Sequence, residues 1–151
     1  MRANKFILLV GAIFLGLAIK SASAVTFPSG TVFTVRLGNT ISSRDVSGKQ
    51  FRGELLEDIP GRGGFSVARG LSVAGVVQSP RVQAGSSVRP LTLILTSFNY
   101  EGHNIPIKTQ PYEVENAGIM GRGGNVRFTG SGYVLPPGTV LQFRLRQSFT
   151  L

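Results

Sequence analysis

The chain has 151 residues, Lys+Arg 16 against Asp+Glu 7, a formal charge of +9, Cys 0 and His 1. That composition excludes a disulfide framework, a thiolate metal centre and any site built on paired histidines. One domain fits the length, and with Gly 20, only 15% charged residues and no long helical periodicity the expected class is all-β with many turns.

Residues 1–24 read as a secretory leader. Arg2 and Lys5 form a positive start, Phe6–Ile19 is an apolar run, and Ala22-Ser23-Ala24 supplies the small residues that precede a cut after Ala24. The run is about 14 residues, short of the roughly 20 that a bilayer-spanning helix needs, so no membrane segment is expected in the mature chain. The leader holds Arg2, Lys5 and Lys20 and no acid, which lowers the charge from +9 to +6 in the mature domain, residues 25–151. Without cysteine a lipid-modified N-terminus is excluded, and the expected location is the periplasm or the extracellular space.

The mature chain opens on Phe27-Pro28-Ser29-Gly30-Thr31-Val32-Phe33-Thr34-Val35-Arg36-Leu37, and nearly the same phrase returns at Leu135-Pro136-Pro137-Gly138-Thr139-Val140-Leu141-Gln142-Phe143-Arg144-Leu145. Each is a Pro-Gly turn feeding a strand with a period of two. Phe33, Val35 and Leu37 face inward with Thr34 and Arg36 outward; Leu141, Phe143 and Leu145 face inward with Gln142, Arg144 and Arg146 outward. A shorter third version lies at Arg69–Val77, where any turn-strand phrase would look alike.

Between the copies, Thr40–Gly48 is a polar loop, Gln50–Leu56 a strand with Phe51, Gly53 and Leu55 on one face, and Glu57–Gly64 a loop rich in breakers. Phe65–Val67 and Leu71–Gln78 read as short strands, and Ser79–Pro90 as a polar connection. Leu91–Phe98 is a strand that turns through Asn99–Asn104 into Ile105–Gln110, a hairpin with Gly at its turn. Pro106 cannot donate to a ladder, so its strand belongs at an edge or turns the proline outward. Tyr112–Asn116 extends that strand, Ala117–Asn125 is a glycine-rich loop, and Val126–Thr129 and Tyr133–Leu135 lead to the last strand, Thr139–Ser148, with Phe149 and Leu151 continuing its inward face. The expected fold is a single small β-barrel or sandwich of about seven or eight mostly antiparallel strands, with the first and last strands paired to remove an open edge.

Little points to catalysis. His103 sits alone in the hairpin turn, without an orienting partner or nucleophile in the pattern. Glu54, Glu57 and Asp58 cluster, as do Glu113 and Glu115, yet no loop has the oxygen-ligand spacing of a calcium site. Gly61–Gly64 and Gly121–Gly124 are both Gly-Arg-Gly-Gly, but one Arg each without interleaved aromatics is turn chemistry rather than a nucleic-acid box. No catalytic residue, metal ligand or small-molecule cofactor is therefore assigned. Arg36, Arg144 and Arg146, outward on strands that could be neighbours, make a candidate basic face for an anionic polymer such as glycan, lipid head groups or nucleic acid.

The order of these motifs resembles the C-terminal β-barrel domain of the TrbI-type channel proteins of conjugation and type IV secretion. That domain opens on a Gly-Thr turn-strand, followed by a serine-bearing loop as in Thr40–Ser43 and an acidic stretch as in Glu54–Ile59. A Gly then Gly-Val strand corresponds to Gly70–Val77, and a Leu-Thr hairpin to Leu91–Ile107. Spaced glycines like Gly118, Gly121 and Gly124 precede a closing strand like Val140–Leu145. The family's membrane helix, proline-rich linker and outer-membrane helical insertion have no counterpart here. The resemblance thus implies the barrel scaffold, an envelope location and assembly with envelope proteins or with itself, rather than a pore.

Overall fold

A computed structural model describes residues 24–78, 90–114, 127–128 and 132–151. Most of the leader, most of the 79–90 connection and the glycine-rich loop, including the second Gly-Arg-Gly-Gly, lie outside the described residues. The strands in chain order are β1 (Thr26–Phe27), β2 (Val32–Leu37), β3 (Ile41–Ser42), β4 (Gln50–Leu55), β5 (Ile59–Pro60), β6 (Ser66–Val67), β7 (Ser72–Gln78), β8 (Leu91–Tyr100), β9 (His103–Pro106), β10 (Tyr112–Val114), β11 (Arg127–Phe128), β12 (Tyr133–Leu135), β13 (Val140–Arg144) and β14 (Phe149–Thr150). A curled antiparallel sheet of order β10-β8-β7-β4-β2-β13, with β9 beside the far half of β8, forms a half-barrel wall. Smaller sheets cap it: β11-β12-β3, β5-β6 and β1-β14.

The two long copies of the turn-strand phrase are β2 and β13, paired antiparallel with Phe33 opposite Phe143 and Arg36 opposite Val140. Their turns are the same object. Gly30 and Gly138 both sit at φ +87°, which an L side chain resists, and the hydroxyls of Thr31 and Thr139 donate to the carbonyls of Pro28 and Pro136 at 2.6 and 2.7 Å. Each glycine N–H then donates to the strand end of the other copy: Gly30 to Leu145 and Gly138 to Leu37, both at 2.7 Å. Closely similar sequences folded into the same turn on antiparallel neighbours produce a local two-fold axis between β2 and β13. The short third version uses the same device, with Gly70 at φ +90° donating to the Leu55 carbonyl at 2.7 Å.

The inward rows are as the alternation predicts. Phe33, Val35, Leu37, Leu141, Phe143 and Leu145 are all at most 1% exposed, in one core with Phe51, Leu55, Leu93, Leu95 and Phe98. Phe33 packs on Phe98 with ring centroids 6.1 Å apart, and Phe51 on Phe143 at 6.1 Å. Thr34 departs from its expected outward exposure. It is 6% exposed because Glu57 folds over the strand and accepts its hydroxyl proton at 2.9 Å. The last strand is also shorter than its pattern: β13 ends at Arg144, the chain bends at 146–147, and Phe149–Thr150 pair with Phe27 and Thr26. Phe149 stacks on Phe27 at 4.7 Å and meets the edge of Phe98 at 5.6 Å, so the C-terminal residues plug one end of the barrel.

The open side of the sheet is closed by a short seam. The β8–β9 hairpin turns through Glu101-Gly102, both with positive φ, and Pro106 sits on the edge strand as expected. Past Ile107 the chain leaves β8 and pairs with the end of β13: Gln110 N–H donates to Arg144 at 2.8 Å and Arg146 N–H to Lys108 at 2.7 Å, flanking a Thr109–Leu145 bridge. It then returns as β10 to pair with Leu91–Leu93, where the sequence reads a simple extension of β9. The gap left on β8 is filled by Thr109, which is 4% exposed and whose hydroxyl accepts Leu95 N–H at 3.0 Å and donates to Leu95 C=O at 3.2 Å. Thr109→Val keeps the volume and removes both bonds, leaving a buried N–H unpaired. It is expected to cost about 1–3 kcal/mol in urea unfolding and to speed exchange of the Leu95 amide.

Candidate functional site

Asp45, Glu57 and Asp58 are committed to local structure. Asp45 accepts Ser42 N–H and pairs with Lys49, both at 2.8 Å, and Asp58 accepts Arg69 N–H at 2.8 Å. His103 is exposed on the first residue of β9, with Nδ1 3.0 Å from the Glu101 carbonyl oxygen, the contact of an Nδ1–H tautomer. Among the described residues no three His, Asp or Glu side chains gather where a metal could bind. The first Gly-Arg-Gly-Gly forms a tight turn between β5 and β6, with Gly63 and Gly64 both at φ +79°. Its glycines serve the backbone.

The charged feature that the fold builds is the outer face of β2, β13 and their neighbours. Arg36, Arg144 and Arg146 are all exposed on it, but they stand in two groups. Arg144 lies opposite Val32 and Arg36 opposite Val140, so the two are separated by four residues along the antiparallel pair, roughly 13 Å at 3.3 Å per residue. Around Arg36 the neighbours are Glu54, directly opposite on β4, and Arg52, two residues from Glu54 on the same strand. Around Arg144 and Arg146 the neighbours come from the seam: Gln110 opposite Arg144 and Lys108 opposite Arg146.

The local two-fold axis relates these groups. The seam segment 108–110 occupies against β13 the place that β4 occupies against β2. Gly38 N–H donates to Arg52 at 2.9 Å as Arg146 N–H donates to Lys108 at 2.7 Å. Arg36 matches Arg144, Arg52 matches Lys108 and Glu54 matches Gln110. One group has two cations around a carboxylate; the other has three cations around a neutral amide. Lys108 completes this second group and was not among the cations that the sequence singled out. Its meeting with Arg146 is a long-range pairing without local signature. Beneath the seam Tyr112 packs on Phe143 at 5.7 Å, and burial pushes its phenol pKa up.

No family profile matches the chain, and no curated protein matches it by sequence. Among solved structures, ComB10 of the Com type IV secretion system of Helicobacter pylori superposes with a TM-score of 0.59 at 14% identity, over 82% of this chain and 89% of ComB10. The two share a fold. That agreement supports, at the level of architecture, the resemblance to the C-terminal barrel of TrbI-type channel proteins. The superposition reaches over most of both chains, so the barrel as a whole is the common object, not one hairpin or turn. No helix among the described residues is long and apolar enough to cross a membrane.

Proposed function

We propose that this chain is an exported, non-enzymatic scaffold of the cell envelope, whose barrel assembles with other proteins of a type IV secretion or conjugation apparatus. The carrying observation is the shared architecture with ComB10 over 82% of the chain. A closed wall of short strands with its cations outside, and its described acids largely used in turns and loops, suits binding through surfaces. Partners are envelope proteins or further copies of the chain, with no small-molecule cofactor. The test is crosslinking in intact cells followed by identification of the adducts. Secretion-channel proteins among them are the expected result, and an adduct set without any envelope protein would sink the reading.

Export is part of the proposal. Protein recovered from the envelope fraction is expected to begin at Val25, after cleavage at Ala24, as N-terminal sequencing would show; an intact Met1 would make the leader an anchor. A second reading, binding of an anionic polymer, is favoured by one observation: Arg36, Arg144 and Arg146 stand exposed on the same outer face.

A further inference from the structure

The two cation groups on the outer face are related by the fold and differ in chemistry. At the β4 side the strand opposite Arg36 presents a carboxylate, Glu54. At the seam, the equivalent position opposite Arg144 is Gln110, and Lys108 faces Arg146 across the pair. Like charges facing each other across strands weaken a pairing. Here they sit on the segment that closes the barrel wall, held to β13 by the bonds from Gln110 and Arg146 and to β8 by the Thr109 hydroxyl. Among the described residues no acid lies within ion-pairing distance of Lys108, Arg144 or Arg146.

The spacing suits one compact anion. Neighbouring strands lie about 4.8 Å apart and alternate residues about 6.6 Å along a strand, so three long cationic side chains can converge on a single group. Arginine's planar fork matches phosphate oxygens, and three cations exceed what one carboxylate balances. An extended nucleic acid fits less well. Its single strands ask for exposed aromatic platforms, whereas Phe33, Phe51, Phe98 and Phe143 are buried, and a duplex asks for a longer track of cations.

We propose that Lys108, Arg144 and Arg146 form a site for the phosphate of anionic phospholipid head groups, and that filling it tightens the barrel seam. The proposal deepens the second reading above and rests on it. Arg36, beside Glu54 in the other group, lies outside this site.

The experiment uses the protein purified from the envelope fraction, with inorganic phosphate and two kinds of vesicle as probes. At equal ionic strength, phosphate at about ten times its dissociation constant should raise the apparent folding constant about tenfold over chloride. Vesicles containing phosphatidylglycerol should bind, and pure phosphatidylcholine vesicles should not. Lys108→Gln, Arg144→Gln and Arg146→Gln should each lower vesicle partitioning about fivefold and reduce the phosphate effect. In chloride, Lys108→Gln should melt no lower than the parent, since it removes a repulsion. Arg52→Gln, the symmetry-equivalent change beside Glu54, should leave both readouts unaltered. If Arg52→Gln weakens vesicle binding as much as Lys108→Gln, the face acts through general charge: the site falls and the polymer reading stands. If neither phosphate nor phosphatidylglycerol binds, the site falls, and the polymer reading falls with it if an anionic glycan and an oligonucleotide also fail to bind. An oligonucleotide bound more tightly than the vesicles, through the same three residues, would overturn the ligand class. Phosphate stabilisation without vesicle binding would assign the site to free phosphate and overturn the lipid assignment.

Discussion

Phe143→Ala is expected to destabilise the protein by about 3–5 kcal/mol, the usual loss for a fully buried aromatic. Phe143 is 1% exposed, lies opposite Phe33 in the pairing of the two copies, and its ring packs on both Phe51 and Tyr112. A cavity there touches β13, β2, β4 and β10 at once, and collapse is resisted because each neighbour is tied into the ladder. Thermal melting should show a midpoint lowered by roughly 10–20 °C, given a few degrees per kcal/mol for a domain of this size. Deleting residues 139–151 goes further. It removes β13 and β14, bares the edge of β2 and leaves the seam segment without its partner, so aggregation and no cooperative transition are expected. Removal of 149–151 alone takes away the Phe149 ring stacked on Phe27 and the bond from Leu151 N–H to Val25 at 2.9 Å. That should give a folded barrel with a lower midpoint than the full chain. A long truncation that melts like the full chain would refute the closed-wall account.

A comparable loss is expected at Gly75, where the chain has no side chain to lose. Gly75 is buried in β7 beside the register shift that separates Ala74 from Gly75 against β8. A methyl added there would collide with the Phe51 ring and with the Ile94 carbonyl oxygen, which belongs to the backbone and cannot turn away. Gly75→Ala should therefore cost more than the 1–3 kcal/mol of ordinary overpacking, and Gly75→Val should prevent folding. Gly48→Ala serves as the contrast. Its Cβ meets nothing within 4 Å, so its expected penalty comes only from a φ of +90°. Urea midpoints for the two alanine variants decide the matter: equal losses would mean that the close approach of β4, β7 and β8 at Gly75 is not a constraint.

The alternation of Phe33, Val35, Leu37, Leu141, Phe143 and Leu145 was readable directly, because a strand with one buried face must repeat every two residues. The turns were readable too, since Pro fixes φ, Gly admits a positive φ, and Pro, Gly and Thr recur at matching places in 28–31 and 136–139. That the repeats would pair, with Phe33 against Phe143, was open to expectation from their likeness but was decided by tertiary structure. So were the bend at 146–147, which turns Phe149 onto Phe27 instead of extending β13, and the burial of Thr34 under Glu57.

The basic face shows the same division. Exposure of Arg36, Arg144 and Arg146 follows from period two, a local property of each strand. Which charges stand beside them does not, because neighbours across a sheet come from distant positions in the chain. Glu54 beside Arg36 and Lys108 beside Arg146 depend on where β4 and the seam dock. The physical reason is one of range: side-chain direction and turn geometry are set within a few residues, whereas strand order and register are set by how the whole apolar surface closes on itself.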